Sequence, residues 1–426
     1  MRKLIMMCIL LFIARAGYAQ APVPAPLQQQ PIALTGATIH TMAGEVIENG
    51  TLLFQEGVIT ALGTSVSLPD NAVVEDLSGK HIYPGLIDSY SQMGLFEIGS
   101  IEMTLDINEQ GDVNPNVRAE RAFHPESRHI AIARSAGILT AISSPGGGLI
   151  SGQTAAMRME GWTWEEMTLR PGVALLINWP NANSDSYEEN LETLQNVFDD
   201  ARAYSRGRKA NEEGGSWLAM DTRWESMIPL FTKERPLLVN ANQVQQIQDA
   251  ITWAESEDLE IIILGGRESY MVSEQIRRRN IPVVVTTVIG SPGRSWESYD
   301  HQYSLPARLY RAGVRFAISG SASAPYAHRL PWEAGAASAF GLPMEEAIKA
   351  LTVYPAEIFG LSDKVGTLEP GKNATLLITT GNPLEYETQI EQVFIDGRKS
   401  NMMDMHRQLY QKYREKVEAA GTAAKD

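Results

Sequence analysis

PLLVNANQVQQIQDAITWAESEDLEIIILGGRESY, residues 236–270, is the stretch on which the fold turns. Two short apolar runs, PLLVNA (236–241) and EIIIL (260–264), enclose QVQQIQDAITWAESEDL (243–259), whose apolar residues recur at helical spacing. Strand, helix and strand in that order make a βαβ unit, with its two strands parallel. The pattern recurs on both sides. ILTAIS (138–143), VALLIN (173–178), IPVVVTTV (281–288) and VRFAIS (314–319) are also unbroken apolar runs, and ESYMVSEQIRRR (268–279) is a further helical stretch. Runs of this kind are expected where both faces of a strand are buried. The alternation predicts an α/β architecture, a TIM-like (β/α)8 barrel of parallel βαβ units over residues 83–365.

Outside the barrel the punctuation changes. IALTGATIHTM (32–42), GTLLFQEGVITALG (50–63) and AVVEDLSGKHIYP (72–84) are short β-rich runs bounded by Gly, Asn or Asp. Similar runs return in GTLEPGKNATLLITTG (366–381) and TQIEQVFIDGRKS (388–400). Residues 32–82 and 366–400 are therefore expected to form one composite β-sandwich from the N- and C-terminal segments. The polar stretch Asn181 to Gly215 reads as an excursion carrying one solvated helix. A C-terminal helix, MMDMHRQLYQKYREKVEAA, and a small polar tail occupy residues 401–426.

The chain has 426 residues, with 36 Lys and Arg against 51 Asp and Glu, a net charge of −15. That balance is a poor match for nucleic acid or an anionic lipid surface, so nucleic-acid binding is not expected. Arg2 and Lys3 precede an apolar run from Leu4 to Ala14, and Gly17-Tyr18-Ala19 offers small residues at a signal-peptidase site. Residues 1–19 are read as a signal peptide cleaved after Ala19, with residues 20–31 as an extended tether. Cys8 is the only cysteine. The mature chain can thus form neither disulfides nor thiolate metal sites, which suits a bacterial periplasm. No later apolar run approaches the roughly 18 residues of a membrane span.

Four further blocks carry a likeness. YPGLIDSYSQMG (83–94), DINEQGDVNPNVRAERAFHPESR (106–128), SPGGGLISGQTAAMRMEG (144–161) and the run from Leu330 to Ile378, taken with 240–270, resemble the amidohydrolase superfamily, specifically its imidazolonepropionase-like branch. The resemblance covers about residues 32–400. It implies a metal site at the C-terminal ends of the barrel strands, built from a His-x-His on the first strand, a histidine after the fifth and sixth, and an aspartate after the eighth. Such a set holds one or two divalent ions, which lower the pKa of a bound water.

This chain departs at every one of those places. Tyr90 and Gln92 stand for the histidine pair, Asn240 for the strand-five histidine with Asn242 two residues on, Gly265 for the strand-six histidine, and Ser321 for the aspartate. By a looser alignment Arg158 occupies the place of a carboxylated lysine, a role a guanidinium cannot fill. The reading is a degenerate site with no catalytic residue, no metal and no cofactor, whose Tyr90, Gln92, Asn240, Asn242, Gly265 and Ser321 line a polar pocket. The partners it implies are a small polar ligand and a second barrel, either another copy or an intact paralogue. The alternative is an active hydrolase of C–N bonds, using no metal or holding zinc or another divalent ion on substitutes such as Asp88, Asp106, Asp221 or His124. His40, His81, His129, His301, His328 and His406 show no metal-binding spacing. Gly146-Gly147-Gly148 lacks the Lys-Ser/Thr of a phosphate loop and reads as a turn. Ser151, Ser291 and Ser321 lack a nucleophile elbow and read as polar loop residues.

Overall fold

The computed structural model describes residues 23–215 and 218–423; the expected signal peptide and the first residues of the tether lie outside them. The first described strands are β1 (Ile32–Ile39), β2 (Ile47–Gln55), β3 (Val58–Gly63), β4 (Val73–Asp76) and β5 (His81–Pro84). β1, β2 and β3 form an antiparallel meander, and β4 and β5 lie parallel to successive parts of β1.

After Gly85 the chain enters the barrel through β6 (Leu86–Ser91), followed by β7 (Ile138–Ser143), β8 (Ile150–Arg158), β9 (Thr168–Asn178), β10 (Leu237–Ala241), β11 (Ile261–Gly265), β12 (Val283–Val285) and β13 (Phe316–Ile318). These eight strands pair in chain order. At the seam Ser89 Oγ donates to the Ile318 carbonyl (3.2 Å) and Ser319 Oγ to the Tyr90 carbonyl (2.6 Å), so the barrel is nearly closed. The apolar runs are unbroken because each strand serves two cores. Leu176, Leu238, Ile262 and Val284 fill the barrel, while Leu175, Leu237, Ile263 and Val283 face outward to the helices.

One strand departs from the expected parallel order. β8 runs antiparallel to both β7 and β9. Its entry from β7, residues 144–149, is too short for a crossover helix and turns back on Gly147 and Gly148, whose φ values are +73° and +60°. Gly146-Gly147-Gly148 is therefore a turn, at the mouth of the barrel.

The principal helices are α1 (Arg128–Ser135), α2 (Tyr187–Glu212), α3 (Val244–Ser256), α4 (Leu305–Arg311), α5 (Leu330–Ala339) and α6 (Met405–Ala423). α2 is the helix expected in the polar excursion. Among the described residues no helix is long and apolar enough to cross a membrane.

The chain then returns to the N-terminal strands through β14 (Leu376–Thr379), β15 (Ile390–Ile395) and β16 (Arg398–Lys399). β14 pairs with β5, so both ends of the chain build one mixed sheet, in the order β16-β15-β14-β5-β1-β2-β3. The sheet bends over a core containing Leu34, Phe54, Ile82, Leu376 and Phe394. Its far edge meets the segment before β14, where Ile59 N donates to Lys372 O (2.9 Å) and Ala374 N to Gly57 O (2.7 Å). The expected sandwich is thus one sheet folded on itself. The described part of the tether is pinned to the body: Ala25 N donates to Glu160 Oε1 (2.8 Å), and Gln28 bonds the Phe54 carbonyl and the Gly57 amide (2.9 Å each).

Candidate functional site

All six positions singled out in the sequence lie at the C-terminal tips of barrel strands, the end where barrels of this type carry their chemistry. They fall into two groups. Asn240 is the penultimate residue of β10 and lies beside Asn178 at the end of β9, its partner in register. Asn240 Nδ2 donates to Asn178 Oδ1 (2.9 Å), and Asn242 Nδ2 donates to Asn240 Oδ1 (3.3 Å). Asn178 Nδ2 in turn donates to the Gly148 carbonyl (2.8 Å) and to Ser151 Oγ (3.0 Å). Three side-chain amides thus form a ladder from β10 to the glycine turn. Gly265 belongs to this group by what it lacks: a Cβ there would stand 2.4 Å from Asn242 Oδ1, and its φ is +87°.

The second group surrounds the seam. Ser319 Oγ binds the Tyr90 carbonyl, Ser321 N donates to Ser319 Oγ (3.4 Å), and Gln92 N donates to Ala322 O (2.7 Å). Ser321 has φ +115°, an uncommon conformation for a residue with a side chain. Beneath it Asp88 is fully buried and accepts from Gly320 N (3.1 Å), while its Oδ2 has no hydrogen-bond partner. Burial pushes the Asp88 carboxyl up to about 7, against the opposing pull of the Gly320 amide. No hydrogen bond among the described residues joins the two groups.

The other candidates are dispersed. Arg158 lies at the opposite end of the barrel, because β8 is reversed; it pairs with Asp396 (2.5 Å) and bonds the Thr168 carbonyl (2.8 Å), which overturns its loose alignment with a bridging lysine. Asp106 and His124 are exposed, and Asp221 pairs with Arg223 (3.0 Å). His40 and His81 meet on the terminal sheet (3.0 Å), and burial beside His81 lowers His40 to about 4. His129 contacts the Glu97 carbonyl (3.0 Å), His301 is buried between Tyr270 and Trp296, and the His328 and His406 rings are 6.2 Å apart. Ser151 Oγ donates to Gly147 O (2.7 Å), which makes it part of the turn, and Ser291 offers its carbonyl to Arg267 (3.4 Å). Asn178 and Ser319 were not singled out. A signal for Asn178 was present, since VALLIN and PLLVN both end on asparagine and neighbouring parallel strands in one register bring such ends together.

Known proteins agree with this architecture. The crystal structure of an amidohydrolase from Thermotoga maritima MSB8 superposes with a TM-score of 0.80 at 27% identity, covering 86% of this chain and 99% of that one. A model of the Amidohydrolase family matches residues 302–400. The chain belongs to the amidohydrolase superfamily. A curated relative, Amidohydrolase tasK of Hapsidospora irregularis, is 20% identical over 390 residues, 82% of this chain; the chain spans 39% of that protein's length. A Xaa-Pro dipeptidase with bound methionine shares the fold with a TM-score of 0.54 at 14% identity, covering 87% of this chain and all of that one.

The residues at these tips do not fit the divalent metal that the superfamily implies. Among the described residues no three His, Cys, Asp or Glu side chains come together to hold an ion. The amides of Asn178 and Asn240 are committed to each other, Gly265 offers no donor atom, and Asp88 is a single enclosed carboxyl. Neutral amides and hydroxyls can instead both donate and accept hydrogen bonds.

Proposed function

We propose that this protein is an exported member of the superfamily, from its imidazolonepropionase-like branch, whose strand-tip site has lost its hydrolytic metal. In this reading it binds a small polar ligand, or serves as partner subunit to an intact paralogue, in the bacterial periplasm. The observation that carries the reading is the ladder Asn178–Asn240–Asn242, with Asn242 filling the space above Gly265. Side chains tied to one another in this way carry no charge, and the oxygens of Asn178 and Asn240 already accept hydrogen bonds, so they offer a divalent cation neither a carboxylate nor an imidazole. Asn242 is the exposed end of the ladder, and a carboxamide matches the amide groups of a peptide or a cyclic amide. The dipeptidase that shares the fold acts on ligands of that kind by its name.

Metal analysis of protein purified from periplasm, with turnover assays on dipeptides and cyclic amides, tests the proposal. Less than stoichiometric metal and no turnover are expected, together with a peptide-like ligand that raises the melting temperature of the wild type but not of Asn242→Ala. Stoichiometric metal with chelator-sensitive turnover would overturn it. N-terminal sequencing of the same material is expected to begin at Gln20. One observation favours the alternative of retained hydrolysis: Asp88 is fully buried beneath the strand tips with one carboxylate oxygen unpartnered, and burial pushes its carboxyl up. Turnover abolished by Asp88→Asn would support that alternative.

A further inference from the structure

A groove of about 600 Å³ lies between α2 and α3 on the outside of the barrel. Trp179, Leu191 and Trp253 give it an apolar lining, and Glu188, Glu192 and Asp249 give it acid. Asp249 is occupied by the Tyr187 hydroxyl (2.6 Å). Glu188 and Glu192, exposed and four residues apart on α2, have no cationic partner among the described residues.

A surface of opposite character lies on α6. That helix touches the body at its start, through Met405 against Arg128 and His406 near His328, and residues 408–418 are exposed throughout. Leu409, Tyr413 and Val417 recur every four residues with exposures of 42, 56 and 71%. Such spacing makes one apolar stripe. A helix draws most of its stability from packing that kind of face, so the stripe calls for a cover. Lys412 and Lys416 flank it, four residues apart and without an acidic partner among the described residues, whereas Arg414 faces Glu418 (3.7 Å).

We propose that the groove between α2 and α3 receives α6 of a second copy of this chain. Two features match. The stripe of α6 is apolar where the groove is apolar, which is the helix-in-groove mode of recognition. The lysine pair and the glutamate pair each span about 6 Å of helix, four residues at 1.5 Å rise, so two ion pairs form in one register. Charge also selects the contact, because two bodies of net charge −15 repel except where a basic helix meets an acidic groove. The contact joins different patches on the two copies, so it closes as a two-fold dimer where the helices exchange reciprocally and extends as a chain where they do not.

Light scattering and sedimentation equilibrium of the full chain, over a dilution series at low and high salt, read the association. The wild type is expected to associate, more weakly as salt rises. Lys412→Glu with Lys416→Glu in one chain, and Glu188→Lys with Glu192→Lys in another, are each expected to weaken self-association by about tenfold or more. An equimolar mixture of the two variants is expected to associate again, because each helix then meets a groove of opposite charge. All four positions are on the surface, and unchanged melting curves will verify folding. A monomeric wild type, or association indifferent to both charge reversals, would overturn the proposal. So would binding to phosphatidylglycerol vesicles that the lysine reversal abolishes and the glutamate reversal leaves intact, since α6 would then cover itself with lipid.

Discussion

At the scale of single residues the mouth of the barrel is defined by Gly265 and Asn242. A side chain at 265 would meet Asn242 and sit at a φ of +87°, so two separate penalties oppose it. Gly265→His is expected to destabilise the protein by about 2 kcal/mol or more in urea titration. Adding Asn242→Ala should recover the part due to the clash and leave the backbone part. Full recovery would show that the backbone there is not strained. Asp88 makes a prediction in pH. Its carboxyl ionises near the ordinary 3.8 in the unfolded chain and at about 7 in the fold, so the unfolded chain loses its proton first. The stability Asp88 contributes is complete below about 4, falls as pH rises toward 7, and is lost above it. Asp88→Asn cannot ionise; its stability relative to wild type should therefore rise by up to about 1.4 kcal/mol per pH unit across that window. A difference independent of pH would show that Asp88 titrates normally. The sequence disclosed the neutral character of Asn240, Asn242 and Ser321, because residue type is explicit. It did not disclose that Asn178 bonds Asn240, nor that Asp88 is sealed, because those depend on neighbours from β9 and β13.

At the scale of elements, strands such as Ile138–Ser143 were legible because burial on both faces leaves an unbroken apolar run. β8 was not. Its ISGQTAAMR is buried through small and polar residues, whose burial depends on close approach of neighbouring backbones and not on an apolar pattern. The turn before β8 stays tight because Gly148, at φ +60°, would bring a Cβ to 3.0 Å from the Asp112 carbonyl. After β8 comes Glu160, which links three elements. Its Oε2 pairs with Arg134 of α1 (2.9 Å), its Oε1 accepts the Ala25 amide, and both charged side chains are more than nine-tenths buried. Glu160→Ala leaves the guanidinium without its counter-charge. Such a loss typically costs about 3–5 kcal/mol. The same change should release residues 23–31, so limited proteolysis near Ala25 is expected to accelerate beyond what the stability loss alone produces. Equal acceleration at Ala25 and at sites inside the barrel would separate the segment from Glu160.

At the scale of the molecule, the two ends of the chain were legible as one β unit, while its intimacy with the barrel was not. β14 and β15 alternate between cores: Leu376, Ile378 and Phe394 face the sheet's own interior, and Leu377, Val393 and Ile395 enter the cluster around the barrel. Gly85 alone separates β5 from β6, and a Cβ there would lie 2.7 Å from Leu139. Arg158 and Asp396 add an ion pair across the same boundary. Neither part can open without exposing apolar surface that belongs to the other, so the described body should melt as one cooperative unit despite its length. Calorimetry is expected to give a single transition whose calorimetric and van't Hoff enthalpies agree. Two transitions, or a van't Hoff enthalpy well below the calorimetric one, would mean that the sheet and barrel unfold separately. A chain truncated before β14 follows from the same argument. It loses the partner strand of β5 and an outer wall of the barrel together, and should fail to reach the native near-ultraviolet circular dichroism even where its helices form.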